Sequence, residues 1–270
     1  MERQPQILDI EQVIMAKGGE KAKRIPKFVI RWFKKFIHQD FINGFLKEGY
    51  VGVEFCENAL KYLGVEIEVV GIENLPKDGR KYTFVSNHPL GAIDGVTLGA
   101  VLGRPYDGKI RYLMNDLLMN LKGMAPLGIP INKLGGQARN LPKLLNEVYE
   151  SDCQMLIFPA GLCSRKIDGK IQDIEWGKNF VKKSRDTGRD IVPIRFEGEN
   201  SKRFYRIANW QKRLGLKFNF AMMLLPDEMY KSKGRKYRII IGQPIPIASL
   251  DKSKSDYQWA QEIRKHVYEL

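Results

Sequence analysis

Between residues 21 and 46 the chain reads KAKRIPKFVIRWFKKFIHQDFINGFL, and Ile30, Phe33, Ile37, Phe41 and Phe45 return at steps of three and four. That is the period of one helix face. Trp32 and Phe36 widen the face, and Lys23, Arg24, Lys27, Arg31, Lys34 and Lys35 crowd around it. A second helix is predicted over 51–64, stopping at Gly64. The pattern then changes. Short runs rich in β-branched and aromatic residues predict strands at 67–72, 82–87, 109–114, 154–159, 190–196 and 236–245. Helical stretches are predicted between them, at about 94–103, 115–122, 137–150 and 174–187, with a terminal helix after Ser255 as N-cap. Strands alternating with helices predict an α/β fold: a single domain with a mostly parallel central sheet flanked by helices, plus an N-terminal amphipathic helical extension.

Composition narrows this reading. With 270 residues, 43% of them hydrophobic, the chain can fill one large core. No repeat, low-complexity tract or Gly/Ser/Pro-rich linker divides it, so the expected boundary lies near residue 64, with a helical segment over 1–64 and the α/β domain over 65–270. The N-terminal MERQPQILDI lacks the apolar core of a signal peptide. The longest apolar runs, such as FAMMLLP at 220–226, fall short of the roughly 20 residues that span a bilayer. A cytoplasmic protein without membrane spans is expected. Cys56, Cys153 and Cys163 form an odd set without metal spacing, and Cys153 and Cys163 are expected as packed thiols.

Charge is the strongest compositional signal. Lys and Arg exceed Asp and Glu by 14. Such a balance calls for an anionic partner or simply makes a soluble basic surface. No recognised nucleic-acid motif accompanies the charge, so nucleic acid is not expected. The 21–46 face offers two readings. Its rings can sit among acyl chains while the surrounding cations meet lipid phosphates, making Trp32, Phe33, Phe36, Ile37, Phe41, Lys34 and Lys35 membrane-binding residues on an anionic surface. Alternatively the same face packs on its own domain. His38 is expected at the surface or headgroup level, and His266 as a solvated or packed residue of the last helix.

Candidate chemistry lies in SNHPLGAID, residues 86–94. The predicted strand ends near Asn87, Pro89–Leu90–Gly91 makes a turn, and Asp94 opens the next helix. Functional groups gather at such carboxyl ends of strands. A neutral imidazole can take a proton from a hydroxyl, and a carboxylate on its other nitrogen can hold the tautomer. Equally, Asp94 can be a plain N-cap. No Ser or Cys sits in a nucleophile-elbow pattern, which argues against a covalent acyl-enzyme.

Four further blocks follow in order: APLGIPINKLGG (125–136), LIFPAGLCSRK (156–166), DIVPIRFEG (190–198) and IIIGQPI (239–245). After an NHP…D block, this series resembles the glycerolipid acyltransferase superfamily, which includes the lysophosphatidate acyltransferases, from about Val70 to Ile245. The resemblance implies that His88 is the base that deprotonates an acceptor hydroxyl for attack on an acyl thioester, oriented by Asp94. It puts Asn87, Lys133, Pro159, Gly161, Ser164 and Arg165 on the acceptor side, with Lys133 where the family usually has an arginine and Ala160 where it has the glutamate of FPEG. Backbone N–H groups near Gly161 become candidates for supporting the oxyanion. The chain has five residues between His and Asp where the family has four, so the Pro–Leu–Gly turn must absorb one. The NHPLG…DG variant is similar to a divergent, hemolysin-like bacterial branch that includes O-acyltransferases of ornithine and glycine lipids.

This implies a peripheral enzyme on the inner face of the membrane. It would move a fatty acyl group from an acyl carrier protein or coenzyme A thioester to a lipid acceptor, either an N-acyl amino-acid lipid or a lysophospholipid. No cofactor and no metal are expected. Two alternatives use the same residues differently: an acyl hydrolase with the same dyad, and a non-catalytic basic membrane-binding protein on a degenerate scaffold.

Overall fold

A computed structural model describes residues 2–115, 118–131, 137–216 and 220–270. Nine strands are described: β1 (Glu66–Val70), β2 (Tyr82–Ser86), β3 (Ile110–Asn115), β4 (Gly128–Ile131), β5 (Gln154–Ile157), β6 (Arg165–Ile167), β7 (Lys170–Gln172), β8 (Asp190–Glu197) and β9 (Lys236–Ile241). The described helices are α1 (Ile10–Ala22), α2 (Lys27–Phe36), α3 (Gln39–Leu46), α4 (Val53–Leu63), α5 (Ala92–Gly103), α6 (Gln137–Glu150), α7 (Asn179–Asp186), α8 (Lys202–Arg213), α9 (Leu225–Lys231) and α10 (Asp256–Glu269).

Seven strands form one sheet in the order β1-β9-β8-β2-β5-β3-β4. Five run the same way, and the reversal falls between β8 and β9, which pair antiparallel while β9 and β1 are parallel. Central strand β2 is buried along its whole length, with Phe84 and Val85 at 0% exposure. A strand covered on both faces carries apolar side chains in both directions, which is why TFV reads as a run rather than an alternation. The α/β architecture with a mostly parallel sheet is therefore as expected. All three cysteines are buried and free. Among the described residues, no helix is long and apolar enough to cross a membrane.

The N-terminal helices differ from the expected single helix. His38 adopts the left-handed conformation (φ 55°) and breaks the 21–46 stretch into α2 and α3. Beyond that break the chain turns onto α4 and α9: Phe41 packs on Tyr62 and Tyr230, at 4.7 and 5.0 Å between ring centroids. Phe45 and Leu46 join Phe55, Cys56, Leu60 and Leu63 of α4 in the main core. Ile37, read as a lipid-facing residue, is buried at 4% exposure, and Phe41 is half-buried against these rings. Lys34 is drawn to Asp9 and Glu11, at 3.0 and 2.9 Å. Trp32 and Lys35 remain exposed, while Phe33 and Phe36 are half-covered.

Smaller differences have local causes. Only a short 3-10 turn, Leu118–Asn120, is described within the predicted helix 115–122, and the 174–187 helix shortens to α7. Strand β4 at the sheet edge tolerates Pro130, which lacks a ladder donor. The β6–β7 hairpin turns on Asp168 and Gly169, both at positive φ (50° and 80°), as a two-residue type I′ turn requires.

Candidate active site

The site forms where β2 ends, at the carboxyl edge of the sheet between β8 and β5. Asn87 follows the strand. Its amide donates to the Phe196 carbonyl (2.9 Å) and accepts from the Phe196 N–H (2.7 Å), tying the end of β2 to β8. The side chain is 4% exposed and its polar atoms are occupied, while the residue lines part of the cavity beside the histidine turn.

Residues 88–91 then reverse the chain. Gly91 takes φ 82°, a conformation costly for any side chain, and a Cβ there would lie 2.8 Å from the Cys163 Sγ. Gly91 is the N-cap, so Asp94 is the third residue of α5 rather than its cap. The turn absorbs the additional residue. Asp94 Oδ2 accepts from the Leu90 N–H (3.1 Å) and sits 3.0 Å from His88 Nδ1. The carboxylate is fully buried in the first turn of α5, where the helix dipole favours negative charge.

His88 is held on every side but one. Its ring stacks on Phe158, with centroids 4.1 Å apart, and its carbonyl accepts from the Ser164 N–H (2.7 Å). Its own N–H donates to Asp173 Oδ1 (3.2 Å). The side chain stays 18% exposed, and among the described residues no hydrogen bond engages Nε2. Burial disfavours a charged ring, but the Asp94 charge and hydrogen bond, with help from Asp173, outweigh it. The His88 pKa is therefore raised above the ordinary histidine value, and the Arg165 cation trims the rise. An imidazole fixed at Nδ1 by a buried carboxylate and open at Nε2 can act as a general base.

Asp173 has no counterpart in the sequence reading. It is fully buried, and burial lifts its pKa against the hydrogen bonds it accepts. Besides the His88 N–H, Oδ1 accepts from the Ser164 hydroxyl (2.6 Å), and Oδ2 accepts from Trp176 Nε1 (2.9 Å). Helix α10 closes the arrangement from behind. The Asp173 N–H donates to the Tyr268 hydroxyl (2.7 Å), and Arg264 donates to the Asp173 carbonyl (2.6 Å). Asp173 thus binds the histidine turn and the loop after β5 through its carboxylate, and the C-terminal helix through its main chain.

The other expected residues divide. Ser164 is 1% exposed and its hydroxyl donates to Asp173, bracing the loop. Gly161 lies in the turn after Phe158 at φ 64°, and its N–H donates to the Phe158 carbonyl (2.9 Å) instead of facing an oxyanion. The Pro159 carbonyl accepts from the Gly177 N–H (3.0 Å). Arg165 is half-buried, with its guanidinium 5.6 Å above the Phe204 ring, and is the described cation whose charge His88 feels. Lys133 lies outside the described residues. Burial pushes the Cys163 thiol up to about 12, which leaves it no thiolate at neutral pH. Beside the histidine turn, Asn87, Pro89, Ser164, Arg195, Phe196 and Tyr268 line part of a shallow cavity of about 310 Å³. Among the described residues no cluster of His, Cys, Asp or Glu is placed to hold a metal ion.

Comparison with known proteins gives the family. The chain is 52% identical over 266 residues to a lyso-glycine lipid O-acyltransferase of Bacteroides thetaiotaomicron, covering 98% of this chain and 97% of that protein. It is equally identical over 266 residues to the lyso-glycine lipid O-acyltransferase of Phocaeicola vulgatus, covering 98% and 95%. Among solved structures it is similar to the 1-acyl-sn-glycerophosphate acyltransferase PlsC of Thermotoga maritima, with TM-score 0.47 and 18% identity over 93% of this chain and 81% of that one. The acyltransferase family model matches residues 12–270. The histidine and carboxylate at the end of β2, and nearly all of the chain around them, belong to an enzyme of the acyltransferase family.

Proposed function

We propose that this acyltransferase O-acylates a lyso-glycine lipid, using an acyl thioester on acyl carrier protein or coenzyme A, while bound to an anionic membrane surface on the cytoplasmic side. The reading is carried by the His88–Asp94 pair, which stands in the NHP…D block with its outer nitrogen open. The names of the two relatives, each 52% identical, support the acceptor.

His88 Nε2 takes the proton of the acceptor hydroxyl as that oxygen bonds to the thioester carbonyl carbon. Asp94 accepts from Nδ1–H and stabilises the imidazolium as it forms. When the tetrahedral intermediate collapses, the C–S bond breaks and the imidazolium proton passes to the departing thiolate. A thioester is already activated, so alignment and base catalysis suffice, the base contributing about 10²–10⁴ in rate. Arg165, held beside the histidine by the carbonyls of Cys163 and Ser164, is a partner for the glycine carboxylate. Lys133 is proposed for the same role on its place in the GIPINK block. A carboxylate needs a weaker clamp than a phosphate monoester, which suits a lysine in place of a bidentate arginine. Residues 1–64 are proposed as the membrane-interacting segment, with exposed Trp32 and Lys35 in contact and half-covered Phe33 and Phe36 behind them.

The purified protein should transfer a radiolabelled acyl chain to a synthetic lyso-glycine lipid at least about tenfold faster than to lysophosphatidate, the discrimination a lost bidentate pair implies. Equal or greater transfer to lysophosphatidate contradicts the acceptor. Thioester consumption indifferent to any acceptor indicates a hydrolase.

A further inference from the structure

Two groups of exposed apolar side chains meet on one side of the molecule. On α2, Phe28, Trp32 and Phe36 are spaced by four and share a face, and Trp32 stacks on Phe36 with centroids 5.4 Å apart. Phe28 is 71% exposed and Trp32 60%. The guanidinium of Arg203, on α8, lies 5.3 Å above the Phe36 ring. Seven residues further along α8 comes Trp210, and eleven residues on, as the C-cap of the helix, Leu214; they are 62% and 51% exposed and on the same side as Arg203. The opposite face of α8, with Phe204, Tyr205 and Ala208, is buried in a cluster that also takes Phe36. The apolar band therefore passes from α2 across Phe36 and Arg203 onto α8, with Trp210 about 10 Å along the helix from Arg203. Leu216, 40% exposed, extends it past the end of α8.

Charge follows the band. The sequence from Lys21 to Gln39 holds seven Lys and Arg and no Asp or Glu; from Ser201 to Pro226 it holds six and none. Exposed tryptophans and leucines within two acid-free cationic segments have the chemistry of an interface with anionic lipid, where rings enter the acyl boundary and cations meet phosphates. An acidic carrier protein would answer the cations but offers the exposed Trp210 and Leu214 side chains no apolar phase to enter.

We propose that the α8 face carrying Trp210 and Leu214 is a second bilayer-docking element, continuous with α2. The inference rests on the reading that α2 itself binds anionic membranes. It also brings the site to the lipid. The buried side of α8 holds Phe204 under Arg165 and packs with Cys163, whose neighbours carry His88. Docking this face would hold the helix that packs on the Cys163–Arg165 loop at the bilayer, within one helix thickness of the supply of single-chain lipid.

The test compares two double variants of the full chain, Trp210→Ser with Leu214→Ser and Phe28→Ser with Trp32→Ser. Their co-flotation is measured on phosphatidylcholine vesicles with and without phosphatidylglycerol. Each is expected to partition into anionic vesicles at least about tenfold more weakly than wild type. Melting temperature and turnover with detergent-dispersed acceptor should be unchanged. Wild-type flotation by the α8 variant with loss by the α2 variant overturns this inference and leaves the α2 reading standing. Wild-type flotation by both overturns the two together. An α8 variant that floats normally but shows a raised KM for acyl carrier protein makes this face a protein-docking site and also overturns the proposal.

Discussion

Two histidines of this protein each face an aspartate at 3.0 Å, and the contrast between them is instructive. His88 Nδ1 meets Asp94, and His38 Nε2 meets Asp227. Distance does not separate the pairs; their surroundings do. Asp227 is shared with Lys231, 2.6 Å away, so its charge is already answered by a cation. His38 is also stacked face to face on Tyr230, with centroids 3.7 Å apart, and its left-handed backbone joins α2 to α3. That pair closes a seam between the N-terminal helices and α9. Asp94 is fully buried, and His88 and the Leu90 N–H are the partners of its Oδ2. Its charge is therefore directed at the imidazole, and the second ring nitrogen is left for chemistry. A His–Asp pair works as a base when the carboxylate has no other cation and the imidazole has an open face.

The comparison breaks most readily by alanine. His88→Ala is expected to lower kcat by at least about 10³-fold, whereas His38→Ala should leave kcat within about threefold and cost about 1 kcal/mol of stability. Steady-state kinetics and thermal denaturation of the two variants check this, and similar kinetic losses in both would erase the distinction. A smaller effect sharpens it. Asp173 sends charge and a hydrogen bond to the His88 segment without touching the reacting nitrogen, as a positioning residue. Asp173→Asn should lower kcat about tenfold and move the acidic limb of the pH–rate profile, where His88 loses its proton, to lower pH. The sign follows from its charge: Asp173 helps hold the His88 proton, so removing it lets the ring deprotonate sooner. Asp173→Ala strands the Ser164 hydroxyl and the Trp176 N–H, and should cost about 2–3 kcal/mol of stability. A limb unmoved in Asp173→Asn would make the residue structural alone.

Much of this was legible in the chain. Six strands announce themselves by β-branched and aromatic residues, in continuous runs where both faces are covered, as in β2 and β5, and at alternate positions in β9. Ser255 announces α10, and the full capping box with Gln258 forms there. His88 and Asp94 stand out because a strand-to-helix turn is short enough to read locally. What was missed depends on distance or on weak local signals. Asp173 follows His88 by 85 residues and acts through a backbone N–H, which no residue type encodes. The two bonds of Asn87 to Phe196 of β8 likewise join residues 109 apart. The His38 break leaves the three-and-four spacing of 21–46 intact, so periodicity alone could not find it. By contrast, KIDGKI at 166–171, with Asp-Gly between alternating residues, did carry a hairpin signal. Edge strand β4 is four residues long and contains Pro130, too short and too broken to register.

Nitrogen NMR of histidine-labelled protein, titrated in wild type and Asp94→Asn, addresses the dyad most directly. The wild-type His88 ring should be neutral as the Nδ1–H tautomer and titrate above the ordinary histidine value of about 6.5. In Asp94→Asn the counter-charge is gone and burial prevails, so the midpoint should fall below that value. A wild-type ring protonated at Nε2 when neutral, or a midpoint that does not move on removing the Asp94 charge, would contradict the account.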